Sequence, residues 1–409
     1  MRMQHFVGGV DFRMAMVPES SAHADPGSEG RKRGRSNCKP APGAAPARRG
    51  VVRRENCLAM AVIFLAAALL GHGQNARGQV TRGQDMRGQD VRAGDVHVRV
   101  SPQVKTGIEG ATEFPTIQMA MDHHPWPGRR ADGTPGRVYI EIAPGVYRER
   151  VIVTQNHPNI TLMGMGKSPV DVVITNSLNA GQAGGTFFTE TVEINGTGFE
   201  ADNITFENAA GNTGQAVAAA VRSDRAIFKH CRFLGHQDTL FADYGRQYYA
   251  DSYIEGGVDF IFGNATAVFD REEIRANGPG YLTAQSRTSP EQTTGYVILD
   301  SRVSSGIAPG ERDTVSLGRP WRPYSRVVYI RTELPSEIVP AGWRAWGKTP
   351  GTPQAYYAEY KDYGPGARPA DRVAWSRQLT AQQAARFMPD VFLAGSDRWN
   401  PVAEAAKLP

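Results

Sequence analysis

The sequence predicts an all-β fold, a parallel β-helix, in which short strands wind into stacked coils. Glycine (45) and proline (27) are frequent among the 409 residues, and short runs of Val, Ile, Phe and Tyr lie between them. Four segments, DNITFEN, KHCRFLG, ADSYIEG and DREEIRA, align so that Phe206, Phe233, Ile254 and Ile274 share one column, at steps of 27, 21 and 20 residues. A repeat near this length, with no helical pattern between the copies, is typical of coils that stack in register. A β-sandwich is the alternative, although it does not require the same phrase at each period.

The N-terminal residues carry the basic charge of the chain. The formal net charge is +5, but residues 1–56 hold 11 Lys and Arg against 5 Asp and Glu, which leaves a net charge of −1 for the remainder. Pro, Ala, Gly and Arg dominate this stretch, so we interpret it as a disordered tail or as sequence upstream of the true start. Because the charge belongs to this tail, it does not indicate binding to nucleic acid.

An apolar segment and a short repeat follow the tail. Residues 57–72 include LAMAVIFLAAALL, which is short for a membrane span and typical of a secretory signal, so no stable membrane insertion is expected after its removal. A buried helix of the domain is the alternative. Residues 73–97 include the repeat RGQVT-RGQDM-RGQDV-RAGDV, which has no apolar stripe and predicts a linker. We therefore expect residues 98–409 to form the folded domain, with Cys231 as its single, buried thiol.

Two carboxylates, Asp238 and Asp259, occupy equivalent positions on consecutive coils. Asp238 follows Phe233 by five residues, Asp259 follows Ile254 by five, and each precedes an apolar run. Stacked strands lie ~4.8 Å apart, so we expect the two carboxylates to be close neighbours. Two such groups cannot both ionise cheaply, which favours a proton donor beside an anionic nucleophile or base. The alternative is that both are turn aspartates at strand ends.

Other polar and aromatic residues could assist a reaction at the two aspartates. Gln215 precedes an apolar strand and Gln237 directly precedes the first aspartate, so their amides could stabilise a developing oxyanion. The motif LGRPW presents Arg319 and Trp321 beside a proline. A guanidinium next to Asp259 would lower the pKa of that carboxyl and keep it ionised, and an indole offers a flat face to a sugar ring.

Five motifs, in order, resemble those of the pectin methylesterase family. They are GVYRE at Gly145, QAVA at Gln215, GHQDTLF at Gly235, VDFIFG at Val258 and LGRPW at Leu317. The similarity extends from TGIEGATEFPTIQMAMDHHP to FLAGSDRW, about three-quarters of the chain. The resemblance implies a right-handed parallel β-helix, and a hydrolase that removes methyl esters from methylated polygalacturonate (pectin) and releases methanol. It implies neither a cofactor nor a metal ion.

The resemblance also implies a role for each site residue. Asp259 would be the nucleophile, and Asp238 would protonate the departing methanol and then activate water. Gln215 and Gln237 would hold the tetrahedral oxyanion, and Arg319 would orient Asp259. Substrate contacts are implied for Thr191, Gln215, Phe241, Phe262, Arg319 and Trp321.

Features outside the motifs refine this expectation. The family's common disulfides are absent, which favours a bacterial-type enzyme over a plant-like one. We expect a secreted or periplasmic monomer whose partner is pectin. Four Asn-X-Ser/Thr triplets, at Asn159, Asn195, Asn203 and Asn264, are interpreted as asparagines at coil turns.

Other functions remain compatible with the residues themselves. A lyase or a two-carboxylate glycosidase could use a similar helix, although a glycosidase needs carboxylates ~5–9.5 Å apart around a glycosidic bond. A related β-helix could act on another ester or thioester, and a pectin-binding β-helix could lack activity. Release of methanol without shortening of the polymer separates the esterase from these alternatives.

Overall fold

The computed structural model describes residues 92–105, 111–308, 311–347 and 354–408. The predicted tail (1–56) and signal-like segment (57–72) lie outside these residues, as does most of the predicted linker (73–97), so these predictions stay predictions. Within the described residues, no helix is both long enough and apolar enough to cross a membrane.

Short parallel strands make up most of the described chain. In chain order, the strands are β1 (Val96–Val100), β2 (Glu113–Phe114), β3 (Val138–Ile142), β4 (Gly145–Arg148), β5 (Val151–Val153), β6 (Ile160–Gly164), β7 (Val172–Asn176), β8 (Val192–Ile194), β9 (Glu200–Asp202), β10 (Thr205–Asn208), β11 (Ala219–Arg222), β12 (Ala226–Lys229), β13 (Arg232–Leu234), β14 (Leu240–Tyr244), β15 (Arg246–Ala250), β16 (Tyr253–Gly263), β17 (Thr266–Asp270), β18 (Glu273–Gln285), β19 (Gly295–Leu299), β20 (Arg302–Ser305), β21 (Val315–Gly318), β22 (Arg326–Ile330), β23 (Tyr356–Tyr360) and β24 (Arg377–Gln378).

Helices occupy the ends and insertions of the structure. They are α1 (Ile117–His123), α2 (Ala180–Ala183), α3 (Ala381–Ala384), α4 (Pro389–Phe392) and α5 (Pro401–Ala405), with 3-10 turns at Pro169–Asp171, Thr186–Phe188, Pro369–Asp371 and Ala385–Phe387. Helix α1 buries its apolar side in the interior beside the first coils. The C-terminal segment covers the outside of one sheet through Leu393, Trp399 and Leu408, which pack in one cluster with apolar residues of that sheet.

The strands form three faces around one apolar interior. Face 1 follows the order β2-β1-β3-β6-β9-β12-β15-β17-β19-β22-β23-β24. Strands β16 and β18 are long and contribute their first halves to face 2 and their second halves to face 3. Face 2 therefore follows the order β4-β7-β10-β13-β16-β18-β20. Face 3 follows the order β5-β8-β11-β14-β16-β18-β21. All pairings between these strands are parallel, so each coil contributes a strand to each face in turn. The predicted parallel β-helix is therefore confirmed.

The inward side chains stack in columns along the helix axis. The pairings Phe206 with Phe233, Phe233 with Ile254 and Ile254 with Ile274 confirm the predicted column on face 2. All four side chains are fully buried, and the first two rings stack with centroids 5.3 Å apart. Burying a large apolar side chain contributes about 1.5–3 kcal/mol, and each column repeats that gain coil after coil.

The corner between face 1 and face 2 repeats one backbone conformation. The residue that follows each of seven consecutive face 1 strands is left-handed, with φ between 48° and 61°: Asn203, His230, Asp251, Arg271, Asp300, Arg331 and Lys361. Such values are uncommon for residues other than glycine. Asn159, ahead of β6, has a φ of 56°, so Asn159 and Asn203 are turn asparagines, as predicted.

A column of polar side chains just after this corner pairs buried backbone N–H groups. Ser252 Oγ accepts a hydrogen bond from the N–H of Cys231, Glu272 Oε1 from that of Ser252, and Ser301 Oγ from that of Glu272, at 2.9, 3.1 and 3.0 Å. These bonds matter because an unpaired buried N–H is costly. Cys231 is a free and buried thiol, as predicted, and burial raises its pKa.

The first coil begins slightly before the predicted boundary. Strand β1 starts at Val96, so the last two residues of the predicted linker belong to the folded domain. Asp95 is also fixed: its carboxylate accepts hydrogen bonds from the Arg130 side chain and the Arg137 N–H, each at 2.8 Å. The repeat pattern concealed this start because Val96 is both the last residue of the final repeat and the first of an alternating apolar strand.

The buried carboxyl of Glu272 predicts a measurable dependence of stability on pH. Burial raises the pKa of Glu272 well above its ordinary value of 4.5, so the folded state keeps a proton that the unfolded chain releases above that pH. The contribution of Glu272 to stability is therefore complete below about pH 4.5 and is lost as the pH rises towards the folded-state pKa. Glu272→Gln, which has no proton to lose, should gain stability relative to wild type at pH 8 and less so at pH 4.5.

Urea unfolding midpoints at both pH values would measure this difference, with the exposed Glu311→Gln as the matched control. A wild-type-to-variant difference that does not change with pH would contradict a neutral Glu272.

Candidate active site

Asp238 and Asp259 lie opposite each other at the corner between face 2 and face 3. Leu240 pairs with Ile261, and an isolated bridge joins Gln237 to Val258, so the aspartates follow the same register on neighbouring coils. The N–H of Asp238 donates to the carbonyl of Val258 at 3.1 Å. Their backbones are alike, with φ of 64° and 50°, and both side chains are largely buried. The predicted equivalence of the two positions is confirmed.

Small and hydroxyl residues make this tight corner possible. Thr239 is fully buried, and its hydroxyl donates to the carbonyl of Glu255 at 3.0 Å. A Cβ on Gly235 would lie 2.6 Å from the Thr239 hydroxyl oxygen, and one on Gly256 would lie 2.2 Å from the Cβ of Phe260. Close packing therefore requires the glycine that lies three residues ahead of each aspartate.

Arg319 binds Asp259 through both prongs of its guanidinium. Nε lies 2.9 Å from Oδ1 and Nη2 lies 2.5 Å from Oδ2, a bidentate geometry that fixes the plane of the carboxylate. The backbone N–H of Arg319 donates to the carbonyl of Thr283 at 3.0 Å. Gly318 approaches the same residue so closely that a Cβ there would lie 2.0 Å from the Thr283 hydroxyl oxygen. The Leu-Gly-Arg sequence thus brings Arg319 against the neighbouring coil.

Burial and Arg319 act on Asp259 in opposite directions. Burial raises the pKa of Asp259, and the hydrogen bond and charge of Arg319 lower it; the net pKa stays above the ordinary value of 3.8. The expectation that the guanidinium would lower this pKa is confirmed for the effect of Arg319 itself. The net pKa is nevertheless raised, because only 7% of the Asp259 side chain is exposed and desolvation dominates. Arg319 keeps the rise smaller than burial alone would make it.

The two predicted glutamines lie beside the aspartates. Gln215 pairs with Gln237 across neighbouring coils, and the N–H of Ala216 donates to the Gln237 carbonyl at 3.0 Å. Both glutamines are half-buried. Their side-chain amides make no hydrogen bond to other residues that the structure describes, so each keeps N–H donors for a bound group.

Aromatic rings form a floor along the outside of face 3. Leu240 and Ala242 belong to the interior, so Phe241 between them faces outward and stacks on Phe262, with centroids 4.6 Å apart. Trp321 lies 6.1 Å from the Phe262 ring. The structure thus brings together the three aromatic residues that the sequence predicted as substrate contacts.

Three aromatic residues near this floor were not predicted. Phe187 lies 4.9 Å from Phe241 and is 44% exposed, Trp346 lies 6.3 Å from Trp321, and Tyr281 lies under the Arg319 guanidinium. The two adjacent phenylalanines in GGTFFTE, which lie outside the repeated strand pattern, could have indicated Phe187. Nothing in the local sequence of the other two distinguishes them from core aromatics.

Thr191 is not part of the cleft surface. Its side chain is fully buried, and its hydroxyl donates to the carbonyl of Glu207 at 2.8 Å, a bond across the interior of the coil. The substrate contact implied by the family resemblance is therefore not available to this side chain as it lies here. Thr239, two coils on, makes the equivalent bond to Glu255, which identifies the threonine position as structural.

The arrangement suits nucleophilic attack assisted by a second acid. One carboxylate is held by a guanidinium, a second acid lies on the preceding coil, two amides lie alongside and an aromatic floor extends from the pair. Among the residues that the structure describes, no three His, Cys, Asp or Glu side chains are grouped so that they could hold a metal ion. The carbonyl of a sugar-linked ester is a target that these groups could bind and attack.

Comparisons with known proteins agree with this geometry. A pectinesterase family model matches residues 103–396. Pectinesterase 31 of Arabidopsis thaliana is 39% identical over 301 residues, which cover 71% of this chain and 92% of that protein. A pectin methylesterase from carrot is similar in structure, with a TM-score of 0.68 and 35% identity over 77% of this chain and 97% of that one. A pectin methylesterase solved in complex with a hexasaccharide has a TM-score of 0.62 and 28% identity, covering 75% and 98%.

These relatives bear on two earlier expectations. The likeness to the solved enzymes confirms a right-handed parallel β-helix. The expectation of a bacterial-type enzyme is not supported, because the Arabidopsis and carrot proteins are plant proteins. The absence of disulfides was therefore a poor guide to the kind of relative.

The opposed effects on Asp259 predict the outcome of replacing Arg319. Lysine keeps a positive charge but cannot form the bidentate pair, so Arg319→Lys should raise the pKa of Asp259 further above its ordinary value. NMR titration of the aspartate carboxyl carbons would measure this. Arg331→Lys, which disrupts a similar bidentate pair with Asp300 on the exposed corner, should leave Asp259 unchanged. A titration of Asp259 that does not move, or moves to lower pH, would show that Arg319 does not control it.

Proposed function

The chain belongs to the pectinesterase family, and we propose how its own residues carry out the reaction. The protein is a carboxylic ester hydrolase that removes methyl esters from pectin and releases methanol. In the proposal, Asp259 is the nucleophile, Asp238 is the acid and then the base, and Gln215 and Gln237 stabilise the oxyanion.

The first half of the reaction forms an acyl-enzyme. An oxygen of the Asp259 carboxylate attacks the methyl-ester carbonyl carbon, and the carbonyl oxygen becomes an oxyanion to which the two glutamine amides donate. As the bond to the methoxy oxygen breaks, Asp238 gives that oxygen its proton and methanol leaves. The product is an anhydride between Asp259 and the galacturonate carboxyl.

The second half restores the enzyme with water. Asp238, now a carboxylate, removes a proton from a water molecule whose oxygen attacks the anhydride. The bond to Asp259 breaks, the galacturonate leaves as a free carboxylic acid, and Asp259 is again a carboxylate. Asp238 keeps the proton taken from water and is ready for the next ester, so protons and bonds balance over the cycle.

The bidentate contact of Arg319 with Asp259 is the observation that carries this assignment. Two carboxyls on adjacent coils compete for ionisation, and the guanidinium forms a bidentate pair with Asp259 at 2.9 and 2.5 Å. The acid that is bonded to a fixed cation is favoured as the anionic nucleophile, so Asp238 is left to hold the proton.

The aromatic floor supports a sugar polymer as the substrate. The stacked rings of Phe241 and Phe262, which are 4% and 3% exposed, lie beside the half-buried Trp321 on the outside of face 3, across several coils. Flat apolar faces suit the C–H faces of pyranose rings, and a floor that crosses coils suits a long chain. Methylated polygalacturonate is therefore the proposed partner.

We also propose a secreted or periplasmic location and a monomeric state. The signal-like apolar run at Leu58–Leu70 supports export, since it is preceded by arginines and is too short to span a membrane comfortably. An enzyme that acts on a cell-wall polymer would encounter its substrate outside the cytoplasm. Nucleic acid is not a proposed partner, because residues 57–409 have a net charge of −1.

Methanol release from highly methylated pectin tests the proposed nucleophile. Asp259→Ala should lower the rate at least about 1000-fold, as removal of a nucleophile does elsewhere. Asp300→Ala is the matched control, because Asp300 also has a left-handed backbone, but at an exposed corner. Circular dichroism would verify folding. More than about a tenth of the wild-type rate in Asp259→Ala would refute the nucleophile role, and shortening of the polymer by wild type would indicate a lyase or glycosidase.

The acid–base role needs a separate measurement. An amide at position 238 can neither protonate methoxide nor accept a proton from water, so Asp238→Asn should slow both half-reactions by about 100-fold or more. Rapid-quench single-turnover kinetics would resolve methanol release from release of the free acid. Normal rates for both steps would overturn the role proposed for Asp238.

A further inference from the structure

We propose that Tyr281 and Trp346 are positioning residues that hold the Arg319 guanidinium between their rings and so aim it at Asp259. The Arg319 Cζ atom lies 3.9 Å from the Tyr281 ring centroid and 4.2 Å from that of Trp346. The kinetic part of this inference rests on the proposed function, whereas the geometry does not.

The contacts use different parts of the guanidinium. The two rings lie against the cation, while its N–H groups Nε and Nη2 point at Asp259. An aromatic face attracts a cation by about 0.5–2 kcal/mol, and more strongly when water is excluded. Only 21% of the Arg319 side chain is exposed, so partial exclusion of water strengthens both cation–π contacts.

An arginine in this position needs such restraint. Its long side chain has many rotamers, and an unrestrained side chain would lose that entropy on forming the pair with the carboxylate. Two rings that confine the guanidinium remove much of this freedom before any substrate binds. Preorganisation of a charged group in this way is worth more in catalysis than a strong but mobile contact.

The two rings are fixed by neighbouring coils. Tyr281 lies in β18, where it pairs with Val258 on one side and with Ser316 on the other, so it bridges the coil of Asp259 and the coil of Arg319. Its ring is therefore held by the same register that sets the two charged groups.

Trp346 is fixed by a buried residue three positions earlier. Trp343 is fully buried and bridges to Gly318, and the N–H of Arg344 donates to the Gly318 carbonyl at 3.1 Å. The segment is thereby attached beside Arg319. Trp346 also lies 6.3 Å from Trp321 of the aromatic floor, so its loss would affect sugar binding as well, whereas Tyr281 is not part of the floor cluster.

Tyr281 therefore gives the cleaner test. Tyr281→Leu should lower kcat by about 3- to 30-fold, the range of one cation–π contact, with little change in KM. The acidic limb of the kcat profile should move to higher pH, because a looser Arg319 stabilises the Asp259 carboxylate less. Tyr281→Phe keeps the ring and should restore both properties. Trp346→Leu should lower kcat and also raise KM, with Trp346→Phe recovering part of kcat.

A matched control is the Arg232–Tyr253 contact on face 2, where the cation lies 5.4 Å from the ring. Tyr253→Leu should leave the kinetics and the pH profile unchanged. The proposal is overturned if Tyr281→Leu has the wild-type kcat and profile, if Tyr281→Phe is as impaired as Tyr281→Leu, or if only KM rises.

An NMR titration of Asp259 separates this inference from the proposed function. Tyr281→Leu should move the titration of Asp259 to higher pH even if wild type released no methanol. An unmoved titration in a folded Tyr281→Leu variant would refute the positioning role while leaving the esterase function intact.

Discussion

The parallel register between coils is the constraint on which the rest of the structure depends. Backbone pairing sets neighbouring strands ~4.8 Å apart and places each residue beside its counterpart on the next coil. Inside the helix, this register stacks Phe206, Phe233, Ile254 and Ile274. At the corner between face 2 and face 3 it places Asp238 and Asp259 at the same position on neighbouring coils. Packing and chemistry therefore share one origin, and a substitution that shifted a coil would disturb both.

The sequence could predict what recurs at the coil period. The column of apolar residues and the equivalence of Asp238 and Asp259 are both visible as repeated phrases, and the structure confirms both. The family motifs identified Arg319 as the partner of Asp259, and the bidentate contact agrees. These features are local or periodic, so they can be recognised in a single amino-acid sequence.

What the sequence could not predict depends on burial and on contacts between distant segments. Trp346 contacts Arg319 from the following coil, where Trp343 bridges to Gly318, and no motif marks that position in the sequence. The net pKa of Asp259 depends on how completely water is excluded, which no spacing encodes. Thr191 matched a substrate-contacting position of the family, yet its hydroxyl donates a hydrogen bond to the backbone carbonyl of Glu207. The start of β1 at Val96 was hidden because one residue belongs to two patterns.

The distribution of the site over successive coils has a consequence for how such a chain can change in length. A solenoid can gain or lose a whole coil and still close its backbone pairing, since each coil contacts only its neighbours. The chemistry lacks that freedom. Asp238 and Asp259 lie on adjacent coils, Tyr281 on the following one and Arg319 on the one after that. Duplicating the coil between Asp259 and Arg319 would preserve the fold and carry the guanidinium ~4.8 Å beyond its carboxylate. Length variation in this protein is therefore confined to the ends of the helix and to its loops.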